Sequence, residues 1–251
     1  GVAFAASGMP GNLSNALFFA DFGRGCVWSK QNDDAAVKFL AQSPRQTIRD
    51  LTAADRIAMP SVKSSTQAVL LEMAAAKEWG DKNYEKLDGI TVSLSPSDTT
   101  AGLLSGGSAF NSGFTVSPFQ EMQLKDPAIH TVLDSRDLIG DSTASYAWTS
   151  KKFHDANPKV YRALIEAWKE ASDFIMANKK ETVAYYLEDT RAKVDPAVIQ
   201  AVLDNPSTRY SPVPVKSMVW AEFLHRVGRN KVLPKTWKDM FFPEIYDLPG
   251  N

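Results

Sequence analysis

Apolar and polar positions along this chain follow two periods, and the change between them falls just before Asn157. From Arg56 to Leu133 short apolar runs are closed by small polar bends. Arg56-Ile57-Ala58-Met59 predicts a buried strand, and Pro60 ends it because proline has no N–H to give a sheet ladder. Ser61 to Gln67 is a bend rich in hydroxyls. An apolar helix begins at Ala68, with Ser64 or Ser65 as N-cap and Gly80 as its stop. Ile90 to Leu94 alternates as a strand does, and Ser97 or Asp98 caps a short helix through Leu103-Leu104 that stops at Gly106-Gly107. Ala109 to Val116 is the next strand; it runs into Ser117-Pro118-Phe119 and a helix to Leu124, and Ile129 to Leu133 is another strand. This alternation predicts a mostly parallel α/β sheet.

Ahead of this region, Val2 to Ala6 predicts a buried strand ended by the turn Ser7 to Gly11. Ala36 to Ala41 predicts a strand broken at Ser43-Pro44, and Thr47 to Asp55 a connecting turn of helix. Residues Asn15 to Asp34 carry no clear pattern, and Gly23-Arg24-Gly25 reads as a surface turn. Behind it, Tyr146 to Thr149 predicts one more short strand, and then the period becomes helical. Asn157 caps a helix with Pro158 in its first position, and Val160, Leu164, Ile165, Trp168, Ala171, Phe174 and Ile175 recur on one face as core. Lys180 to Glu188, Asp195 to Leu203 and Val215 to Val227 predict three further helices.

Composition narrows the function without choosing it. A chain of 251 residues with 44% hydrophobic and 23% charged residues suits one large domain or two lobes. A net charge of -1 gives no electrostatic footprint for nucleic acid or an acidic membrane. Cys26 is the only cysteine, which excludes an intramolecular disulfide, a multi-cysteine zinc site and a CxxC redox pair. The chain begins at Gly1, so the sequence leaves export open.

The candidate chemistry is the bend before the Ala68 helix. A helix start offers unpaired N–H groups and the positive end of a dipole, to which Ser64, Ser65 and Thr66 add hydroxyls. Taken alone, serines there more often only cap a helix. Other features point away from catalysis. His154-Asp155 reads as a solvated pair beside a helix cap; His130 and His225 lack metal-ligand spacing; Ser64 lacks the elbow of a nucleophile.

Three stretches in order carry a resemblance: Asp50-Leu51 leading to Ile57-Ala58-Met59-Pro60 with Ser64-Ser65-Thr66; Leu103-Leu104-Ser105-Gly106-Gly107; and Phe114-Thr115-Val116-Ser117-Pro118-Phe119. With Phe153 to Tyr161, they resemble the periplasmic substrate-binding proteins of ABC importers for nitrate, sulfonates, taurine and thiamine pyrimidine precursors. The resemblance covers residues 44–251. It implies an α/β, two-lobed, type II periplasmic-binding-protein-like fold with C-terminal helices, closing by hinge motion on a ligand in the cleft between lobes. Residues 1–54 would be part of the first lobe, 55–140 the second α/β lobe, and 141–251 the return to the first. By position, Ser64, Ser65, Thr66 and Gln67 match the family's ligand loop. Phe114 and Thr115 match the cleft wall, and either Phe114 or Phe119 would cover the apolar side of a ligand. Met9 and Pro10 match the turn lining the first lobe, and Ser145 and Tyr146 fall where the chain crosses back.

The implied protein is a receptor, not an enzyme. It has no catalytic residue, cofactor or metal, and its partners are a small-molecule ligand and the membrane subunits of an ABC permease, with no nucleic acid. It would be periplasmic or lipid-anchored outside the cytoplasmic membrane. A strand–helix–strand unit that the family has before the point matching Gly1 is missing, and Asn15 to Asp34 fit poorly, so the first lobe is expected to be incomplete. A monomer is expected unless swapping completes that lobe. The alternatives are an enzyme like the thiamine pyrimidine synthases, whose cysteine cluster this chain lacks, and a sensor or scaffold that does not transport.

Overall fold

The computed structural model describes residues 36–106, 109–143 and 146–251, together with the backbone of residues 3–4 and 17–18. Met9, Pro10 and Ser145, the turn at Ser7 to Gly11, and Gly23-Arg24-Gly25 lie outside the described residues. The chain divides into two compact units. A helical unit comprises Gly1–Asp34, Thr143–Ser217 and Lys235–Asn251; a sheet unit comprises Ala35–Ser142 and Met218–Pro234.

Residues 3–4 and 17–18 form β1 (Ala3–Phe4) and β2 (Leu17–Phe18), an antiparallel pair in the helical unit. The sheet unit holds β3 (Lys38–Gln42), β4 (Ile57–Met59), β5 (Thr91–Ser93), β6 (Ser112–Thr115) and β7 (Ile129–Asp134), in the order β5-β4-β6-β3-β7. β4 is parallel to β5 and β6, whereas β3 is antiparallel to β6 and β7. The four strands of the alternating region therefore share one direction, as expected, and β3 runs against them between β6 and β7. No α-helix follows β3, only a 3-10 turn at Ile48–Asp50, so the helical crossover that usually joins parallel neighbours is missing. β3 is wholly a strand of the second sheet, and residues 218–234 return to the same unit.

α1 (Thr66–Trp79) buries Ala68 through Ala76 without a break, including Val69, Leu70, Leu71 and Met73, each worth roughly 2 kcal/mol relative to exposure. α2 (Pro96–Ser105) ends at Gly106, whose φ of 68° is left-handed. Its cap is Ser95, two residues before the expected Ser97, because Pro96 takes the first helical position. Gly113 in β6 lets α2 lie close to the sheet: a Cβ there would come within 2.6 Å of Thr99 Cγ2 and 3.1 Å of the Ala58 carbonyl. Short helices α3 (Phe119–Gln123) and α4 (Ser135–Ile139) follow β6 and β7. Beneath the sheet edge, Asp55 accepts from Arg45, the Thr52 amide and hydroxyl, and Asn111. Burial works to raise its carboxyl, and these hydrogen bonds together hold it below its ordinary value.

In the helical unit the chain runs through α5 (Lys151–Ala156), α6 (Pro158–Ala177), α7 (Lys179–Thr190) and α8 (Pro196–Asp204). Val183, Ile199 and Leu203 form a core closed by Ile175, Tyr186, Leu187, Val194 and Tyr210. α9 (Ser217–Arg226) lies almost wholly in the sheet unit. Tyr146 to Thr149 is not a strand. The segment is held by side chains: Tyr146 Oη donates to Ser217 Oγ at 3.3 Å, and its ring lies 5.9 Å from that of Phe241. Asn157 occupies the cap position of α6 but accepts no capping bond; its amide donates back to the Phe153 carbonyl at 2.9 Å.

Asp155 is exposed, as expected, while His154 is half-buried among aromatic rings. Its ring stacks on Phe242 at 4.0 Å and meets the edge of Tyr161 at 4.7 Å. Nδ1 lies 3.0 Å from Asp155 and Nε2 2.9 Å from Glu244. Carboxylates only accept, so both contacts favour the protonated ring, and the bonds to Asp155 and Glu244 raise the imidazole above its ordinary value. Burial, with the Glu244 charge, pushes Tyr161 up to about 12. Among the described residues no helix is long and apolar enough to cross a membrane.

Candidate functional site

The carboxyl ends of β4, β5 and β6 lie side by side in the sheet, and each feeds a helix start. Between β4 and α1 the chain turns sharply through Pro60 to Ser65. Ser65 is the N-cap: its Oγ accepts from the Ala68 amide at 3.2 Å and donates to the Ser61 carbonyl at 2.7 Å. Ser61 Oγ and Ser64 Oγ are 2.7 Å apart, and the Val62 amide donates to Ser93 Oγ at 3.3 Å, which ties the bend to the end of β5. Lys63 has a φ of 63°, a left-handed backbone that costs a side-chain-bearing residue roughly 1 kcal/mol or more. Such a conformation persists only where its surroundings hold it.

Arg229 supplies part of that hold. Its Nη2 donates to the Lys63 carbonyl at 2.5 Å, and its Nη1 to Glu72 Oε2 at 2.5 Å. Glu72, on the second turn of α1, is 1% exposed. Burial drives its carboxyl above the ordinary value; the Arg229 charge and hydrogen bond pull it back only in part, while Asp88 and Glu85 add to the rise. Burial raises Asp88 too, with Lys63 drawing it back. Neither Glu72 nor Arg229 is among the residues expected from sequence, which lie 157 positions apart. A signal existed for one of them: a lone acid inside Leu70-Leu71-Glu72-Met73-Ala74 has no polar face to occupy and must find a partner.

The start of α2 is built differently. Asp98 in its first turn accepts from Ser95 Oγ at 2.7 Å, while Ser95 Oγ accepts from the Asp98 amide at 3.1 Å. A carboxylate thus already occupies that positive end. The first turn of α1 carries no acid. After β6, Ser117 donates to Glu121 Oε1 at 2.7 Å, and Gln120 donates to Ser117 Oγ and Glu121 Oε1, both at 3.0 Å.

Of the residues expected at the site, the bend brings four together. Ser64 is exposed, and Ser65, Thr66 and Gln67 are half-buried. Ser65 is fully used in capping, with its proton given to Ser61. Phe114 does not face a ligand. It is 1% exposed and stacks at 5.0 Å on Phe39, its partner across the antiparallel β3–β6 pair. Thr115 is equally enclosed, with Oγ1 donating to Gln123 at 3.3 Å. Both are core residues because β6 is a central strand covered on both faces. Phe119, in the first position of α3, is half-buried. Tyr146 belongs to the helical unit.

No protein-family model matches the sequence, and no curated protein matches it. Solved structures do share its fold. The periplasmic aliphatic sulphonate binding protein SsuA from Escherichia coli is 20% identical with a TM-score of 0.58, over 82% of this chain and 67% of that one. The periplasmic nitrate-binding protein NrtA from Synechocystis PCC 6803 is 16% identical with a TM-score of 0.62, over 84% of this chain and 63% of that one. The alkanesulfonate-binding protein SsuA from Xanthomonas axonopodis pv. citri, bound to MOPS, is 18% identical with a TM-score of 0.54, over 81% and 70%. This chain spans about two thirds of the length of these proteins. What is common to them at such identities is architecture: the chain has the α/β fold of periplasmic substrate-binding proteins.

Proposed function

We propose that this protein is the solute-binding receptor of an ABC importer and that it holds a small oxyanion, of the sulfonate or nitrate kind, at the start of α1. The observation that carries this is the contrast in first turns: α1 opens from a hydroxyl-rich bend and carries no acid in its first turn. Backbone N–H groups and a helix dipole there favour negative charge. The proteins that share the fold are named for sulfonate and nitrate binding, which is the same chemistry. Ser64, Thr66 and Gln67 supply side-chain contacts, Ser65 holds the helix start in place, and Phe119 rather than Phe114 meets the apolar part of an organic ligand. The protein binds its solute without transforming it and passes it to a membrane permease, acting outside the cytoplasmic membrane.

A thermal-shift screen followed by calorimetry tests this, with nitrate, taurine, ethanesulfonate and a hydroxymethylpyrimidine as probes. At a hundred times Kd a bound ligand adds about 2.7 kcal/mol of stability, a shift readily seen. One of the oxyanions is expected to give it. A shift with the pyrimidine alone would move the ligand class, and no shift with any probe would overturn the receptor reading.

A further inference from the structure

We infer that Arg229 is the positioning residue of the Ser61–Ser65 bend: its two-pronged guanidinium joins the Lys63 carbonyl to buried Glu72 and so sets where the hydroxyls and first amides of α1 point. The inference rests on reading the bend as the ligand loop, and goes beyond it by naming what holds the loop in shape.

The arginine is itself fixed at both ends. At the C-terminus of α9 the Gly228 amide donates to the His225 carbonyl at 3.0 Å and the Arg229 amide to the Leu224 carbonyl at 2.8 Å. With Gly228 at a φ of 80°, these bonds make the Schellman arrangement that closes helices, so the backbone of Arg229 is clamped. The far end of its side chain is clamped by buried Glu72. Only between those two anchors does Nη2 reach Lys63.

A charge-compensating role alone would need one contact, to Glu72. The second contact goes to a neutral carbonyl, that of the one residue of the bend with a left-handed backbone. A planar fork can serve two acceptors at fixed separation, whereas a lysine ammonium is a point charge on a flexible stem. The groups around the fork are Glu72 on α1, Lys63 in the bend, and Asp88 and Glu85 ahead of β5.

Arg229→Lys separates the two roles, since it keeps a positive charge for Glu72 and loses the fork. Trypsin cleavage after Lys63, timed by mass spectrometry against cleavage after Lys77 within α1, reads the bend without any ligand. The Lys63 cut is expected to quicken at least several-fold in Arg229→Lys while the Lys77 cut keeps its wild-type rate. Unchanged cleavage at Lys63 would overturn the inference, because charge alone would then suffice. Equal quickening at both sites would overturn it too, as general loosening. Gly228→Ala, which displaces Arg229 without touching its charge, is expected to repeat the Arg229→Lys result, and wild-type cleavage at Lys63 in this variant would count against the clamp. Calorimetry with nitrate and ethanesulfonate adds the functional reading. If the wild type binds either, Arg229→Lys is expected to weaken it about tenfold, the lower end of what supporting contacts behind a site are worth, and equal affinity would overturn the inference. If the wild type binds neither, the proposed ligand reading fails, and the cleavage ratio still decides whether Arg229 shapes the bend.

Discussion

Two helix starts stand next to each other at the end of the sheet, and they have opposite electrostatics. α1 and α2 both leave neighbouring parallel strands, and both are capped by a serine that accepts an amide three residues on. At α2 the hydroxyl of Ser95 goes to Asp98, and the carboxylate neutralises the positive end from within. At α1 the hydroxyl of Ser65 goes to the Ser61 carbonyl, and the first acid along the helix, Glu72, lies on the second turn, buried and met by Arg229. One start is complete in itself; the other keeps its acid away from its amides. The cap residue is thus a poor guide to function, and what the first turn carries is a better one.

The comparison can be broken most severely at the buried acid. Arg229→Met leaves Glu72 unpaired in the core and is expected to cost about 3 kcal/mol in urea denaturation at neutral pH. The carboxyl of Glu72 is raised already in the wild type, so its contribution to stability is full below its unfolded pKa and is lost as pH rises through the folded value. Without Arg229 that folded value rises further. The deficit of Arg229→Met is therefore expected to shrink as pH is lowered, and a deficit constant with pH would show that Glu72 is not its source.

Next in size is the double change Ser65→Ala, Thr66→Ala, expected to remove roughly 2 kcal/mol of oxyanion affinity by calorimetry. Because Ser65 is the cap, about 1 kcal/mol of stability goes with it. Ser95→Ala is expected to cost similar stability and leave affinity unchanged.

Gln67→Glu makes α1 resemble α2 by placing an acid in its first turn. Oxyanion affinity is expected to fall by roughly 1 kcal/mol, and a rise would place the ligand's charge elsewhere. The smallest effect is that of Asp98→Ala, expected to lower melting stability by about 0.5 kcal/mol with no change in oxyanion affinity.

How far all this could be read in advance differs from element to element. The β4–bend–α1 unit was legible because Pro60, Ser65 and Gly80 are strong local signals on one short stretch. The cap of α2 was misplaced although Pro96 marks it, since Ser97 and Asp98 are good caps in their own right. The direction of β3 was not legible, because partner choice in a sheet depends on strands remote in sequence. The resemblance puts Phe114 at a cleft wall; only its pairing with Phe39 shows that it is core. Tyr146 to Thr149 alternates like a strand, yet its ordering comes from Ser217 and Phe241, far along the chain. The Arg229–Glu72 pair is the clearest case: one half announces a need, and nothing local says which residue meets it.

The placement of β3 also constrains how the molecule comes into being on the ribosome. Lys38–Gln42 emerges well before its partners, since it pairs with Ser112–Thr115 and Ile129–Asp134. Until Ser112–Thr115 is synthesised, a strand whose Phe39, Leu40 and Ala41 end up wholly enclosed has both edges open, and one edge stays open until Ile129–Asp134 follows. The nascent chain must carry that sticky segment while everything between Gln42 and Ser112 is made, which makes slow synthesis or early termination in this stretch a hazard for aggregation more than for activity.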